Sequence, residues 1–273
     1  MLLKGITVLS VILAVLETIG GAIWVLPLHF IRYFAILFAA AFVFLVVVSY
    51  GMPRGELEKE REKDSPFYRW VVAVYVEALI QIMQVRVTAT GLEKTPKDGR
   101  FLLVCNHQFA ADPGILLHYF KDSQLAFISK KENRKLFCVG PLMHMILCQE
   151  LDREDDRQGL RVILKCIRLI KEDKVSIGVF PEGGTNHDDK LHPFRPGVFK
   201  IAQKANVPIV VCTLNNTRPI IHNAMRLKKT EVQLHLLDVI PAEELAGKTT
   251  VEIADRVHGM MLADLGEEFR SEA

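Results

Sequence analysis

A histidine and an aspartate stand close together just after an apolar run in VCNHQFAADPG, residues 104–114. The run predicts a buried strand, and Asp112 followed by Pro113 is typical of an N-cap and the first turn of a helix. His107 then lies in the connecting loop, where the side chain of Asp112 can meet it. Such a pair could act as a general base, with Asp112 holding the imidazole tautomer and Nε2 taking the proton. The spacing alone is weak support, because helix capping by itself would explain Asp112.

A second stretch, VSIGVFPEGGTNHDDKLHPFRPGVFK at 175–200, runs from a predicted strand into a glycine-rich turn. The paired glycines, Gly183 and Gly184, would let backbone N–H groups approach an anion closely. Basic residues follow at Lys190 and Arg195. The stretch therefore predicts an anion-binding loop, and an ordinary glycine turn stays the alternative.

Four ordered blocks, taken together, resemble the glycerolipid acyltransferases typified by 1-acylglycerol-3-phosphate acyltransferase. NHQFAAD matches the NHxxxxD motif of that family and FPEGG matches its FPEG motif, at a similar spacing. Between them, KKENRKLFCVGPLMHMILCQELDR at 130–153 resembles the second block of the family. PFRPGVFKIA and VPIVV follow FPEG as they do in the family, so the resemblance covers about residues 85–215.

The resemblance implies a membrane-bound enzyme that transfers a fatty acyl group from acyl-CoA or acyl-carrier protein. The acceptor would be the free hydroxyl of 1-acyl-sn-glycerol 3-phosphate, and the product phosphatidic acid. His107 would be the general base and Asp112 would orient it, with no metal or organic cofactor. The residues expected to bind substrate are Asn106, Arg153, Glu182, Gly183, Gly184, Thr185, Lys190 and Arg195.

The sequence departs from the family pattern where the acceptor is expected to bind. Thr185 stands where FPEG is usually followed by an arginine, which the family associates with the acceptor's phosphate. Arg153, Lys190 or Arg195 could supply that charge instead. The departure bears on the acceptor more than on the reaction, so glycerol 3-phosphate or a headgroup-bearing lysophospholipid stays an alternative. Phe137 also replaces a proline of the second block.

Three other mechanisms stay open from the sequence. Cys105 could act as a thiol nucleophile, although its place at the end of a buried strand favours a core residue. NHDDKLH offers His187, Asp188, Asp189 and His192 at metal-ligand spacing, although a solvated loop is the favoured interpretation. A membrane-tethered lipid-binding protein without turnover would have the same fold.

The elements that precede these motifs predict a membrane attachment. Residues 6–28 contain one charged residue, Glu17, and residues 32–50 contain only Arg32 at their edge. Each segment approaches the ~20 residues that cross a hydrocarbon core. The short link PLHFIR would join them, so residues 1–51 are predicted to form a membrane helical hairpin.

The rest of the chain is predicted to form a linker and a cytoplasmic body. Residues 52–84 combine a charged linker with PFYRWVVAVYVEALIQIMQ, an interfacial helix or a first core helix. In residues 85–273, β-rich runs alternate with helical stretches, which predicts an α/β domain with a mixed β-sheet flanked by helices. The six predicted strands lie in VRVTAT, RFLLVCN, LAFIS, VSIGVF, VPIVVCTL and EVQLHLL. Basic residues after the hairpin, including Lys59 and Arg61, place this domain on the cytoplasmic side of the cell membrane.

Two helices of this domain are predicted in more detail. The first covers 155–172, where apolar residues at helical spacing lie beneath a basic face. Those apolar residues are Leu160, Ile163, Leu164, Ile167 and Ile170. The last helix starts at TTVE, where Thr249 and Glu252 form a capping-box pattern.

The amino-acid composition limits the kinds of partner and the compartment that the protein is expected to have. The net charge is only +2, which argues against a dedicated nucleic-acid-binding protein. The five cysteines are scattered without a CxxC pair, which predicts reduced, buried thiols in a cytoplasmic compartment. The expected partners are the lipid bilayer, a lysophospholipid acceptor and the acyl-thioester donor.

Overall fold

The computed structural model describes residues 1–19, 21–51, 59–152, 155–185, 188 and 190–271. The helices in this part of the chain are α1 (Leu2–Thr18), α2 (Leu26–Tyr50), α3 (Pro66–Ile82), α4 (Asp112–Tyr119), α5 (Val139–Met145), α6 (Asp156–Lys171), α7 (Lys200–Ala205), α8 (Ile220–Met225) and α9 (Thr250–Leu265). The strands are β1 (Val85–Thr90), β2 (Leu102–Cys105), β3 (Leu125–Lys130), β4 (Gln149–Leu151), β5 (Ser176–Val179), β6 (Ile209–Asn215) and β7 (Thr230–Ile240).

These strands form one mixed sheet in the order β1-β7-β6-β2-β5-β3-β4. Strands β6, β2, β5, β3 and β4 are parallel, β7 is antiparallel to β6, and β1 is parallel to β7. The predicted mixed α/β fold is confirmed. Because parallel strands end at the same side of a sheet, β2, β5 and β6 all lead into loops at one edge, which we call the carboxyl edge.

The two central strands are buried along their whole length. Every residue of β2 and of β5 is buried, so both faces of the sheet must be covered there. This explains why LLVC and SIGV do not alternate between apolar and charged residues. The covered centre is a rigid support for the loops that leave these strands.

The N-terminal region forms two antiparallel apolar helices whose break differs from the predicted one. Helix α1 ends at Thr18 and a 3-10 turn, Ile23–Val25, leads directly into α2 at Leu26, so the break precedes Ile23 and does not lie at PLHFIR. Pro27 lies in the first turn of α2, where a missing N–H is tolerated. Gly21 lies in the break, and glycine disfavours a continuous helix.

One helix in the described part of the chain, Ile23–Tyr50, is long and apolar enough to cross a membrane. Helix α1 packs along α2, but it has only 17 residues. The costly Glu17 of α1 faces its partner helix, where Arg32 donates to its carboxylate and His29 lies 3.8 Å away. A paired charge is far less costly in an apolar environment than a lone one.

Helix α3 joins the hairpin to the α/β domain. Its Val71 and Ala78 are buried, and Arg69 donates to the carbonyl of Leu125 on β3 at 2.8 Å. Phe67 and Trp70 at its start stay exposed. Part of the predicted linker, residues 52–58, lies outside the described residues, and the predicted domain boundaries at 51 and 84 stay predictions.

The predicted apolar stripe of α6 is confirmed in part, since Ile170 is buried and Ile163 and Ile167 pack against the core. Leu160 and Leu164 are exposed, and the buried positions include Val162, Cys166 and Leu169. Apolar residues occur around much of this helix, so periodicity alone does not show which of them are buried. The predicted start of α9 is confirmed, since Thr249 and Glu252 form both bonds of a capping box.

Candidate active site

The two predicted motifs lie side by side at the carboxyl edge. Strands β2 and β5 pair in parallel, with Val104 opposite Val179. The loop with His107 therefore leaves the sheet next to the loop with residues 181–185. Neighbouring parallel strands thus bring together residues that are far apart in the chain.

His107 and Asp112 are in direct contact. The Nδ1 atom of His107 lies 2.8 Å from Oδ2 of Asp112, and the histidine side chain is 15% exposed while the carboxylate is fully buried. With Nδ1–H donated to the carboxylate, Nε2 is the basic nitrogen. Within the described residues no hydrogen bond involves Nε2, so it is available to accept a proton.

Asp112 does not occupy the predicted N-cap position. It is the first residue of α4, after the N-cap Ala111. The same Oδ2 atom also accepts the backbone N–H groups of Gln108 and Phe109, both at 2.8 Å. The carboxylate therefore accepts hydrogen bonds from the loop before α4, from the imidazole of His107 and from two backbone N–H groups. It does not cap the free N–H groups in the first turn of α4.

Aromatic stacking on one face of the imidazole also holds the ring of His107, a contact that the motifs did not predict. Phe180 stacks on the imidazole at 4.1 Å between centroids, and Phe127 of β3 stacks on Phe180 at 5.4 Å. A side chain at Gly178 would collide with the ring of Phe127. The phenylalanine of FPEG is the available signal, since it is the last residue before the turn.

Glu182 connects the two motifs through backbone groups. Its Oε1 atom accepts the N–H of His107 at 2.7 Å, and its Oε2 atom accepts the N–H of His192 at 3.3 Å. The family resemblance predicts that Glu182 binds substrate. The structure shows that it fixes the backbone of His107, and a contact with substrate stays a prediction.

Gly183 and Arg195 form the floor of the glycine turn. Gly183 has φ +81°, and a Cβ atom there would lie 2.6 Å from Nε of Arg195. The Arg195 N–H donates to the carbonyl of Pro181 at 2.8 Å. The left-handed backbone therefore favours glycine, and a larger residue would also force the Arg195 side chain to shift.

The remaining predicted residues differ in their access to the site. Lys190 lines a narrow cavity together with His107 and Glu182, and its Nζ donates to the carbonyl of Glu268. Gly184 and Thr185 follow the turn and are half-buried. The contacts of these three residues with substrate stay predictions.

Asn106 is engaged with the neighbouring strand. Its side-chain nitrogen donates to the carbonyl of Leu214, and its side-chain oxygen accepts the N–H of the same residue, both at 2.8 Å. The side chain therefore ties the His107 loop to β6. Substrate binding by Asn106 stays a prediction.

Arg153, the first predicted phosphate ligand, lies outside the described residues. The same is true of His187 and Asp189 in the alternative metal site. Of the other two residues of that site, His192 and Asp188 contact each other at 2.9 Å. No group of three metal-ligating side chains occurs in the part of the chain that the structure describes.

Cys105 is a core residue. It is fully buried, and burial raises the pKa of its thiol well above the usual range. A nucleophilic cysteine needs access and a lowered pKa. The burial of Cys105 therefore supports the core interpretation over the thiol-nucleophile alternative, and all five cysteines are free and buried, as predicted.

The middle of the chain is similar to known acyltransferases. Residues 86–215 match the family model described as Acyltransferase. The 1-acyl-sn-glycerol-3-phosphate acyltransferase alpha of Homo sapiens is 26% identical over 179 residues, which cover 65% of this chain and 63% of that protein. A chloroplastic 1-acyl-sn-glycerol-3-phosphate acyltransferase of Brassica napus is 36% identical over 128 residues, 46% of this chain and 36% of that protein. The matches thus span less than two thirds of either relative.

The fold is shared with a solved structure. The crystal structure of the 1-acyl-sn-glycerophosphate acyltransferase from Thermotoga maritima superposes with a TM-score of 0.62. The match covers 84% of this chain and 89% of that chain at 22% identity. At this level of identity the likeness establishes the common fold.

Proposed function

We propose that the chain is a membrane-bound 1-acyl-sn-glycerol-3-phosphate acyltransferase. The proposal starts from the match of residues 86–215 to the family model described as Acyltransferase. The chain would transfer a fatty acyl group from acyl-CoA or acyl-carrier protein to the free hydroxyl of the lysophospholipid, giving phosphatidic acid. The observation that carries the proposal is the 2.8 Å contact between His107 Nδ1 and Asp112 Oδ2 beside the FPEGG turn.

His107 acts as the general base in this proposal. Its Nε2 atom takes the proton of the acceptor hydroxyl while that oxygen attacks the thioester carbonyl. The resulting imidazolium is stabilised by Asp112, which accepts the Nδ1–H. When the C–S bond breaks, the thiolate leaving group takes the proton from Nε2, so the base is restored and the products are an ester and a thiol.

The loop after β5 binds the acceptor. Lys190 supports this role because it lines the cavity next to His107, and a cation there would pair with the acceptor's phosphate. Arg195 lies against Gly183 in the same loop, and Arg153 is a further candidate from the sequence. Because Thr185 stands in place of the usual arginine, a headgroup-bearing lysophospholipid is the second candidate acceptor.

The reaction as proposed needs no metal or organic cofactor besides the thioester donor. The attack and the departure each move one proton, and one histidine can carry both. The fully buried Asp112 supports this mechanism, since it offers the imidazolium a charged partner out of contact with water.

The proposed location is the cell membrane, with the α/β domain on the cytoplasmic side. The apolar helix Ile23–Tyr50 supports membrane attachment, and the ion pair between Glu17 and Arg32 supports burial of the hairpin in lipid. The free, buried cysteines agree with a reducing compartment. The lipid acceptor would be reached from the bilayer itself.

The test is acyl transfer by the detergent-purified protein. Labelled acyl-CoA and acyl-carrier protein are each offered with lysophosphatidic acid, glycerol 3-phosphate or lysophosphatidylethanolamine, and His107→Ala is run beside the wild-type protein. We expect transfer to lysophosphatidic acid, lowered in the variant by on the order of 10²–10⁴-fold.

Transfer to the headgroup-bearing lysolipid alone would replace the proposed acceptor by the second candidate. Transfer that His107→Ala does not reduce would remove the proposed base. If no donor and acceptor pair reacts while the protein still binds lysophospholipid, the binding protein without turnover is the correct description.

A further inference from the structure

A short protrusion between β6 and β7 carries apolar and basic side chains into solvent. Its exposed apolar residues are Ile221, Met225 and Leu227, the last two 74% and 82% exposed. Its exposed basic residues are Arg226, Lys228 and Lys229. The sequence has no acidic residue from 216 to 230. We call residues 221–229 the apolar-basic tip.

The tip is firmly attached to the domain. The carbonyl of Asn223 accepts the N–H groups of Arg226 and Lys228 at 3.0 and 2.8 Å, and the Asn223 side-chain nitrogen donates to Oγ1 of Thr230 at 3.1 Å. Ile220, just before it, is fully buried. The apolar side chains are therefore held outward by an ordered turn.

Leu227 has an unfavourable backbone conformation as well as an exposed side chain. Its φ is +55°, a left-handed conformation that disfavours a bulky side chain. Exposure to water is a second unfavourable feature of the same residue. A glycine or asparagine would relieve both, so a leucine here indicates a partner that receives it.

The tip adjoins the proposed active site. At its base, Thr217 N–H donates to Oε1 of Gln108, the residue after His107, at 3.3 Å. On the other side, Thr230 N–H donates to the carbonyl of Gln84 at 3.2 Å, just after α3. That helix exposes Leu79 near its end, so the tip and α3 both offer apolar side chains to the same surroundings.

We propose that the apolar-basic tip is a second membrane contact, separate from the helical hairpin. Met225 and Leu227 enter the headgroup region of an anionic bilayer, and Arg226, Lys228 and Lys229 lie among the lipid phosphates. This combination of apolar and basic side chains is the one that interfacial membrane binding uses. The contact holds the cavity beside His107 at the bilayer surface.

The occupant is a bilayer rather than an acidic protein. A stable protein interface needs about 800 Å² on each partner, whereas the tip offers a few side chains on a protruding turn. The hairpin already carries a membrane-compatible helix. The choice also rests on the proposed function, because a lipid acceptor must pass from the bilayer to His107.

Depth-sensitive labelling tests the contact without using activity. Leu227→Cys, labelled with an environment-sensitive fluorophore, is reconstituted in phosphatidylcholine vesicles with and without phosphatidylglycerol. Val251→Cys is the matched control, since Val251 is an exposed apolar residue in the first turn of α9, which begins at the opposite edge of the sheet. The wild-type protein, whose cysteines are buried, sets the background.

We expect a blue shift and quenching by shallow nitroxide lipids for the label at 227, stronger with phosphatidylglycerol, and neither effect at 251. A label at 227 that stays in water and is quenched only by iodide overturns the proposal. So does protection of that label by acyl-carrier protein, or by self-association in detergent, with no effect of vesicles.

A second measurement separates this inference from the proposed function. Lys228→Glu/Lys229→Glu should weaken transfer in anionic vesicles by about tenfold or more, since each cation favours an anionic surface, and leave transfer to a short-chain soluble acceptor unchanged. Equal loss with both acceptors overturns the inference. If the wild-type protein transfers no acyl group at all, the proposed function fails, and the labelling result still decides the membrane contact.

Discussion

The position of the His107 ring is set from three directions by single residues. Asp112 binds Nδ1 at 2.8 Å, Phe180 stacks on the ring face at 4.1 Å, and Glu182 binds the backbone N–H at 2.7 Å. A base must be held close to its productive geometry to contribute fully to catalysis. The three contacts come from different parts of the chain, so the ring is fixed even where its own loop has no regular structure.

Asp112→Asn is expected to lower kcat by on the order of 10²–10⁴-fold with a small change in KM. The change keeps the shape of the side chain and removes the charge that stabilises the imidazolium in the proposed mechanism. Kinetics across pH and the thermal midpoint Tm are measured together. Asp264→Asn is the matched control, because Asp264 contacts His235 Nδ1 at 3.0 Å and lies outside the lining of the proposed cavity. A normal kcat in Asp112→Asn would contradict the assigned role.

The cysteine thiols are expected to resist alkylation in the folded protein. Burial raises the pKa of Cys148 to about 11 and that of Cys166 to about 12. At a pH well below both values the reactive thiolate is a minute fraction, and its fraction rises only as the pH approaches the raised pKa. Iodoacetamide labelling followed by mass spectrometry should therefore modify them after denaturation and not before. Rapid labelling of the native protein would show that the core opens.

At the scale of elements, the glycine turn after β5 tolerates few residue types at position 183. Gly183→Ala puts a Cβ atom on a backbone with φ +81° and 2.6 Å from Arg195 Nε. We expect a loss of stability of about 1 kcal/mol or more, and a lower kcat because Glu182 shifts away from the His107 amide. The double variant Gly183→Ala/Arg195→Ala should recover part of the lost stability, since Arg195→Ala removes the close contact. The strain of the positive φ at residue 183 remains.

The control for that variant lies in the same segment. Gly197 has no positive φ, and a Cβ atom added there would meet no atom within 4 Å. Gly197→Ala should leave kcat and Tm nearly unchanged. Equal effects of the two substitutions would mean that the turn tolerates a side chain and that its geometry does not control the base.

Elements were predictable from the sequence where period, length and end signals agreed. The six longer strands and the capping box of α9 are of this kind. Strand β4 was missed because Gln149–Leu151 is three residues long and has no β-branched residue. The break of the hairpin was misplaced because Pro27 resembles part of a link, although proline is also favoured in the first turn of a helix.

Site residues that belong to a sequence motif were predictable. Site residues that act through a tertiary contact were not. His107 and Asp112 stand out because their block accompanies FPEGG. The stack of Phe127 on Phe180 depends on strand order, since β3 lies next to β5. A single sequence does not show strand order. The exposed leucines of α6 have the same origin, because the sector that a helix buries depends on its neighbours.

At the scale of the whole molecule, the hairpin contacts the α/β domain through specific groups. The hydroxyl of Tyr50, at the end of α2, accepts the N–H of Cys138 at 3.2 Å, and its ring packs on Phe137. Tyr75 of α3 donates to the carbonyl of Ala41. The apolar helices and the active-site edge are thereby held in a fixed relation.

The protein is expected to stay with membranes after washing with high salt and with alkaline carbonate, and to be released by detergent. Helix Ile23–Tyr50 supplies the apolar surface for insertion, and hydrophobic insertion into lipid would not be reversed by high ionic strength. Fractionation and immunoblotting measure the outcome, with a peripheral and an integral marker beside it. Release by carbonate would show that the hairpin rests on the surface without insertion.

The hydrogen bonds that the Asp112 side chain makes to described residues all lie within the loop of His107. Asp112 satisfies His107, Gln108 and Phe109 within a short stretch of chain, whereas the residues from Thr185 onward belong to the neighbouring loop. Substitutions from Thr185 onward that keep Phe180 and Glu182 in place should leave the contact between His107 and Asp112 intact, so under the proposed function acceptor preference could change during evolution while the proton transfer is kept. We expect lineages with new acceptors to diverge first after β5, and the threonine at 185 to be one trace of such a history.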